Sequence, residues 1–428
     1  MSTLLRESLD LEETLLALVD ERAARLAAKV LAWRRDIHAH PELGNREFRT
    51  SQLVAEHLLA LGIEVKTGVA HTGVVGVLRG ARPGPVLALR ADMDALPLVE
   101  EVDLPFASRA RTRYDGEEVG VMHACGHDCH TAVLMGIAEL FAGMREQLPG
   151  SIKFIFQPAE EGAPEGEEGG AKLMIEQGVL DDEPRPQAIF GLHVTSFLNT
   201  GIIGYKSGPV MASSDNFCIT VRGRQTHAAM PWLGADPIVA SAQVILGLQT
   251  VVSRQVDTVS QPSVVTVGAI SGGARENIIP DRVDMKGTIR AFDEDVRRQL
   301  HDRVREAAEH HARGCRCDAE VRVKSNYPVT VNHPGLTAWS APRLARVAGD
   351  QRVLTVPKLA NAEDFSYFQQ RIPGFFYFVG VTPADRKSTN APANHSPRFY
   401  VDEAGLPLAL RSLASLAASY LAVPFSPE

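Results

Sequence analysis

The chain has 428 residues, 45% hydrophobic and 22% charged, with a formal net charge of −8. That length suggests two domains or one large domain carrying an insertion, and the acidic balance argues against nucleic acid or an anionic membrane as the main partner. The N-terminal stretch "MSTLLRESLDLEETLLALVDERAARLAAKVLAW" is too charged for an export signal. No run approaches the roughly 18 apolar residues of a membrane span, so a cytoplasmic location is expected.

Helical spacing comes first, in "LLALVDERAARLAAKVLAWRRDI" and in "RTSQLVAEHLLALGI", which Gly62 should stop. Short apolar runs follow: "GVVGVLRG", "PVLALRAD", "SIKFIFQP" and "QAIFGLHV". Such runs read as strands buried on both faces, the mark of a mostly parallel sheet with helices on either side. Between them "HTAVLMGIAELFAGMREQL" reads as an amphipathic helix and "EEGAPEGEEGGA" as a loop. From about Ala212 the grammar changes to strand, helix, two strands, helix, strand, ending in "DAEVRVKSN". This β-α-β-β-α-β order is that of a small ferredoxin-like sandwich. Helix and strand signals of the first kind resume after Pro328, with "GFFYFVG" another buried strand. The expected architecture is α/β: one catalytic domain (residues 1–209 and 327–428) interrupted by a small α+β domain (residues 210–326).

The chemistry-bearing residues collect at strand ends. Asp92 and Asp94 end "VLALRAD", Glu160 and Glu161 follow "SIKFIFQ", and His193 closes "AIFGLH". Cys125 and His127, in "MHACGHDCH", stand just ahead of a helix, and His395 lies in "NHSPRF". Ligands of α/β sheets gather outside the carboxyl ends of the strands, so these side chains converge on one edge. Thiolate, imidazole and carboxylate together suit Zn²⁺, and would accept Mn²⁺, Co²⁺ or Ni²⁺. Two metals about 3.5–4 Å apart, sharing ligands and a water, are compatible with this set. By itself "HACGHDCH" also reads as a polar loop with Asp128 capping a helix. A redox pair of Cys125 and Cys129 has C-x₃-C spacing rather than C-x-x-C. Five cysteines are no disulfide framework; Cys218 reads as a small apolar filler, and Cys315 and Cys317 have no histidine beside them.

The stretches "LRADMDALP", "MHACGHDCH", "QPAEEG", "GLHV", "GRQTHAAMPWLGADPI", "ENIIPD" and "NHSPRF" together resemble the M20 family of metallo-amidohydrolases. The likeness is to the branch of hippurate hydrolases and indole-acetyl-amino-acid hydrolases, and it runs from "RRDIHAHPELG" to the C-terminal helix. It implies a catalytic domain with an inserted dimerisation domain, and two divalent metal ions held by Cys125, His127, Glu161, His193 and His395. Glu160 becomes the general acid/base, and His227, Asn277 and Arg290 become substrate contacts. His227 would reach the metal centre of the other chain in a homodimer.

One departure stands out. Many di-zinc relatives carry His-x-Asp where this chain has Asp92-Met93-Asp94, and bridge their metals with an aspartate. The hippurate-type branch shares this chain's version, which casts Asp92 and Asp94 as supports behind the ligands. His38 and His40 suit core or capping roles, and "NAEDFSYF" also matches the family. The implied reaction is hydrolysis of an N-acyl-amino acid to a carboxylic acid and an amino acid. Alternatives are a dipeptidase or carboxypeptidase on the same site, or an inactive member that binds a ligand as a sensor; an intact Glu160 disfavours the last.

Overall fold

The computed structural model describes residues 3–426. In chain order it begins with α1 (Thr3–Ala39), α2 (Phe48–Ala60), β1 (Glu64–Val69), β2 (Gly73–Arg79) and β3 (Arg82–Asp92). A hairpin of Arg111–Tyr114 with Glu117–Gly120 precedes α3 (His127–Ala142), β4 (Pro149–Gln157), β5 (Ala188–Asn199) and β6 (Ile203–Tyr205). Then come β7 (Asp215–Arg222), α4 (Pro237–Gln255), β8 (Val264–Gly272), β9 (Arg282–Arg290), α5 (Glu294–Gly314) and β10 (Asp318–Ser325). The last main elements are α6 (Pro334–Ala348), β11 (Val353–Thr355), β12 (Gly374–Thr382) and α7 (Leu406–Ala422).

Two compact units result. The larger is built from the chain up to Gly208, Val331–Pro357 and the chain from Tyr367 on; the smaller from Pro209–Thr330 and Lys358–Ser366. No shift in composition marks the return of Lys358–Ser366 to the smaller unit.

The larger unit holds an eight-stranded sheet in the order β1-β2-β4-β3-β5-β12-β6-β11. Its centre, β4-β3-β5-β12, is parallel, and β1, β2 and β6 join antiparallel to their inner neighbours. These central strands are the apolar runs of the sequence, and β12 is buried along its whole length. The helix α3 departs from its expected amphipathic character. Every residue of it except Glu139 and Ala142 is buried, because it is packed among α1, α7 and the sheet. Small residues permit this: a Cβ on Gly136 would stand 2.6 Å from Val30 Cγ2 of α1.

The smaller unit is an antiparallel sheet ordered β8-β9-β7-β10 with α4 and α5 against it. Alternation decides its faces. Phe217, Ile219 and Val221 of β7 enter the core, whereas Cys218, read from sequence as a buried filler, takes the opposite parity and is exposed.

One window, Glu403–Ala422, is long and apolar enough by composition to cross a membrane, contrary to the sequence reading; 78% of it is buried inside the fold. That burial is what a core helix requires, and α7 packs on α1, α3 and β3.

Candidate metal centre

Residues 125–127 enter α3 through Gly126, whose φ is +96°. A Cβ there would lie 2.3 Å from Val194 Cγ2, so only glycine permits this turn against β5. The turn directs Cys125 and His127 to the same point. Asp128 is therefore no N-cap. It lies inside the helix and accepts from Arg34 Nε at 2.8 Å, with His38 Nδ1 also 2.8 Å away. His38 is buried and its Nε2 meets Glu100 at 3.1 Å, while His40 is exposed and donates to the Asp36 carbonyl.

His193 lies within β5 rather than at its end. The ladder between β3 and β5 stops at Arg90 and Gly191, and continuing that register puts His193 level with Asp92, the last residue of β3. On the other side of the cluster, Glu160 and Glu161 follow a turn in which Ala159 has φ +52°. Glu47 holds that turn: its buried carboxyl accepts from Ala159 N at 2.8 Å and Thr72 Oγ1 at 2.5 Å. Burial, with Asp94 nearby, pushes the Glu47 carboxyl up to about 8.

The five expected ligands come together. Cys125 Sγ lies 3.4 Å from His193 Nε2 and 3.2 Å from His395 Nε2. Glu161 Oε1 is 3.0 Å from His395 Nε2 and 4.0 Å from His127 Nε2. Donor atoms of Cys125, His127 and His193 form one triad, those of Cys125, Glu161 and His395 a second, and Cys125 belongs to both. Glu160 Oε2 stands 3.9 Å from His127 Nε2, and Glu160 joins a further triad with His127 and Glu161.

The far sides of these groups are fixed. His127 donates through Nδ1 to the Asp94 carbonyl at 2.8 Å, with Asp94 Oδ1 at 3.2 Å; His193 donates through Nδ1 to the Val194 carbonyl at 2.7 Å. Each neutral ring therefore presents a bare Nε2 to the cluster. Asp94 also accepts from Glu161 N at 2.9 Å, joining two of the expected ligands through one carboxylate. His130 bridges Asp92 (2.6 Å) and Val194 N (2.8 Å), so both its nitrogens are used and it supports rather than ligates. Asp92 in turn accepts from Arg90 at 2.6 Å. Asn394 donates to the carbonyls of Cys125 (3.0 Å) and Val194 (3.1 Å), and His395 N donates to Ala124 O at 2.8 Å.

The donor set fits divalent metal. His127 Nε2 and Glu161 Oε1 are buried with no hydrogen-bond partner, although Oε1 lies close to His395, so that approach lacks hydrogen-bond geometry. Buried polar atoms of this kind are costly unless something binds them. Burial and the carboxylates of Glu161 and Glu160 push the Cys125 thiol well up, so its thiolate needs a cation beside it. Burial disfavours charge on His127, but Asp92, Asp94 and Glu161 outweigh it and raise the ring to about 10, a demand for positive charge at that point. Burial and the neighbouring His130 keep His193 neutral, as a ligand must be.

The expected substrate contacts lie in the smaller unit. His227 pairs with Ile278 in a two-residue ladder, is exposed, and accepts at Nδ1 from Ala229 N at 3.0 Å. Asn277 is its neighbour across that ladder, its carbonyl accepting from Ala228 N at 3.0 Å. Arg290, at the end of β9, donates to Thr288 Oγ1 (2.6 Å) and the Ile289 carbonyl (3.1 Å), and partial burial lowers its pKa.

Sequence reasoning did not single out Glu47, His130 or Asn394. It also passed over the hairpin 111–120, although Asp115-Gly116, both with positive φ, is a strong two-residue turn signal.

A parallel α/β sheet with clustered thiol, imidazole and carboxylate donors at its carboxyl edge is the arrangement of a metallohydrolase. Residues 88–419 match Peptidase family M20/M25/M40, and the chain belongs to this family and is a hydrolase. It is 41% identical over 400 residues to thermostable carboxypeptidase 1 of Saccharolobus solfataricus, covering 93% of this chain and 95% of that one. It is 41% identical over 392 residues to the IAA-amino acid hydrolase ILR1-like 4 of Arabidopsis thaliana, covering 91% and 84%. The crystal structure of the Bacillus subtilis YXEP protein, described as a dinuclear metal-binding peptidase of the M20 family, aligns with TM-score 0.76 and 35% identity. That alignment covers 93% of this chain and 99% of the other.

Proposed function

We propose that the protein hydrolyses the amide bond of N-acyl-L-amino acids, giving a carboxylic acid and a free amino acid. The observation that carries this reading is the pair of donor triads joined at Cys125, with Glu160 beside them. Cys125, His127, Glu161, His193 and His395 would hold two divalent ions, Zn²⁺ before Mn²⁺, Co²⁺ or Ni²⁺. When bound, such ions lower the pKa of water and polarise the amide carbonyl. Glu160 takes the proton of the attacking water and returns it to the departing amine nitrogen, without which the C–N bond cannot break to a neutral amine. Asp94 holds His127 and the backbone of Glu161 in register with one carboxylate. In this reading His227 donates to the carbonyl oxygen of the tetrahedral intermediate, across a homodimer formed through the smaller unit. Arg290 and Asn277 receive the amino acid carboxylate.

The similarity to a carboxypeptidase favours a second reading, in which the acyl group is itself an aminoacyl residue and the substrate a peptide. The test is hydrolysis of matched N-acyl-amino acids and dipeptides by apo-protein reloaded with each metal. The proposal predicts metal-restored release of the amino acid from N-acyl substrates at higher kcat/KM than from dipeptides. Preference for the dipeptides supports the second reading; no metal-restored cleavage of either contradicts both.

A further inference from the structure

Glu100 and Glu101 stand side by side in the irregular segment 97–110, which follows β3 in the larger unit. Leu96, at its start, exchanges backbone hydrogen bonds with Met122 at 3.0 Å each way. Glu100 is buried and Glu101 is exposed. Glu100 Oε1 lies 3.1 Å from His38 Nε2, and Oε2 accepts from Ser108 N at 2.5 Å, which closes the segment on itself. Across the His38 ring, Nδ1 is 2.8 Å from Asp128, the residue after His127. Burial opposes charge on this ring, but Asp128 and Glu100 outweigh it and raise its pKa, so it can donate through both nitrogens.

The same segment reaches the other side of the cluster. Glu101 N donates at 2.8 Å to the carbonyl of Pro397, two residues after His395. His395 needs such a hold, because its φ of +71° lies in the left-handed region that residues with a Cβ rarely adopt. Asn394 fixes the chain just before it, through the carbonyls of Cys125 and Val194, and the Glu101 amide fixes it just after. The side chain of Glu101 also meets Arg398 at 2.8 Å, but both are exposed, and such pairs contribute little. His127 is different: Asp94 holds its Nδ1 directly, whatever the segment does.

We propose that Glu100 is a positioning residue of the metal centre. By holding the segment against His38 and Ser108 it keeps the Glu101 amide on Pro397, and so keeps His395 within reach of Cys125 and Glu161. The inference rests on the ligand set proposed above and goes beyond it. It makes the ion of the triad Cys125, Glu161 and His395 depend on a carboxylate that is hydrogen-bonded to none of the five expected ligands. The ion of the triad Cys125, His127 and His193 depends on it far less, since Asp94 and the Val194 carbonyl fix those two rings.

The experiment titrates apo-protein with Co²⁺ and follows its thiolate charge-transfer and d–d absorption bands. The proteins are the wild type, Glu100→Ala, Glu100→Gln, Arg398→Ala and His395→Ala, the last to mark which binding step belongs to the His395 triad. In Glu100→Ala that step should weaken about 10–100-fold, and the other by less than about threefold. Glu100→Gln, with one oxygen for two donors, should fall between Glu100→Ala and the wild type. Arg398→Ala should shift neither step by more than about twofold, as for an exposed ion pair. Amide hydrogen exchange of the apo-proteins gives a reading without metal. The Glu101 amide should exchange at least about tenfold faster in Glu100→Ala than in the wild type or Arg398→Ala, with α3 protected in all three. Equal weakening of both steps, an effect of Arg398→Ala as large as that of Glu100→Ala, or an unchanged Glu101 amide would each overturn the proposal. If the wild type itself takes up fewer than two ions, the ligand reading fails, and the exchange of the Glu101 amide still decides whether Glu100 holds the segment.

Discussion

His127 and His193 in the larger unit and His227 in the smaller are each held through Nδ1, but in opposite senses. The first two give their Nδ1 proton to a backbone carbonyl, of Asp94 and Val194, and so present a lone pair at Nε2. His227 accepts at Nδ1 from the Ala229 amide, so its neutral ring carries the proton on Nε2. In the proposed function these identical side chains would do opposite work, the first pair binding a cation and the third donating to an oxyanion. Burial follows the same division: His127 and His193 are enclosed among carboxylates and other rings, and His227 is exposed. On that proposal the backbone contact of each ring, rather than its residue type, would separate ligand from donor.

The largest effect should come from Glu160, the group proposed to move protons beside the proposed ligands. Glu160→Gln is expected to lower kcat by about 10²–10⁴ with KM nearly unchanged, measured by steady-state kinetics on a cleaved N-acyl-amino acid. Next, His227→Ala should fold and hold metal like the wild type and lose about 10²–10³ in rate, the loss of one oxyanion donor. Mixing its subunits with those of Glu160→Ala should restore activity above either parent; flat activity after verified subunit exchange would remove His227 from the neighbouring chain's site.

Asp94→Ala should act on the metal instead. It frees both the His127 ring and the Glu161 amide, and metal affinity should fall about 10–100-fold in a competition titration with a chelator. The smallest effect is expected away from the cluster. Burial works against ionisation of Asp215, but His301 and Arg297 hold its carboxyl below the usual range. A depressed folded pKa gives stability that is present above the unfolded value of about 3.9 and is lost as pH falls through the folded one. Acid melting curves of the smaller unit should therefore flatten below about pH 4 in Asp215→Asn relative to the wild type. A parallel acid dependence in both would assign the loss to other groups.

Much of this was legible in the sequence where the signal is local. The buried strands show as unbroken apolar runs, and three of the five expected ligands, Cys125, His127 and Glu161, stand at or near helix or strand ends that the sequence marks, whereas His193 lies inside its strand. Asp94, two residues past the end of β3, is cast as a support through the likeness to the hippurate-type branch. Asn394 could not be placed: its partner Cys125 is 269 residues away, and only the fold brings the two together. Glu47 and His130 have the same difficulty, since their partners lie on other elements. The environment of α3 was misread because its polar residues, Asp128 and His130 among them, mimic a solvent face. They are buried and bonded to Arg34, His38 and Asp92. Cys218 was misread for a different reason, because a lone cysteine has no periodicity of its own until the strand's parity is fixed.

The division of labour between two adjacent glutamates is the central claim, and metal content tests it most directly. Glu160 stands beside the proposed ligands and Glu161 is one of them, with Oε1 buried and unbonded. Elemental analysis of protein purified with excess Zn²⁺ should find two ions per chain in the wild type and in Glu160→Gln, and fewer than two in Glu161→Gln. Equal metal loss in both variants, or none in either, would contradict the account.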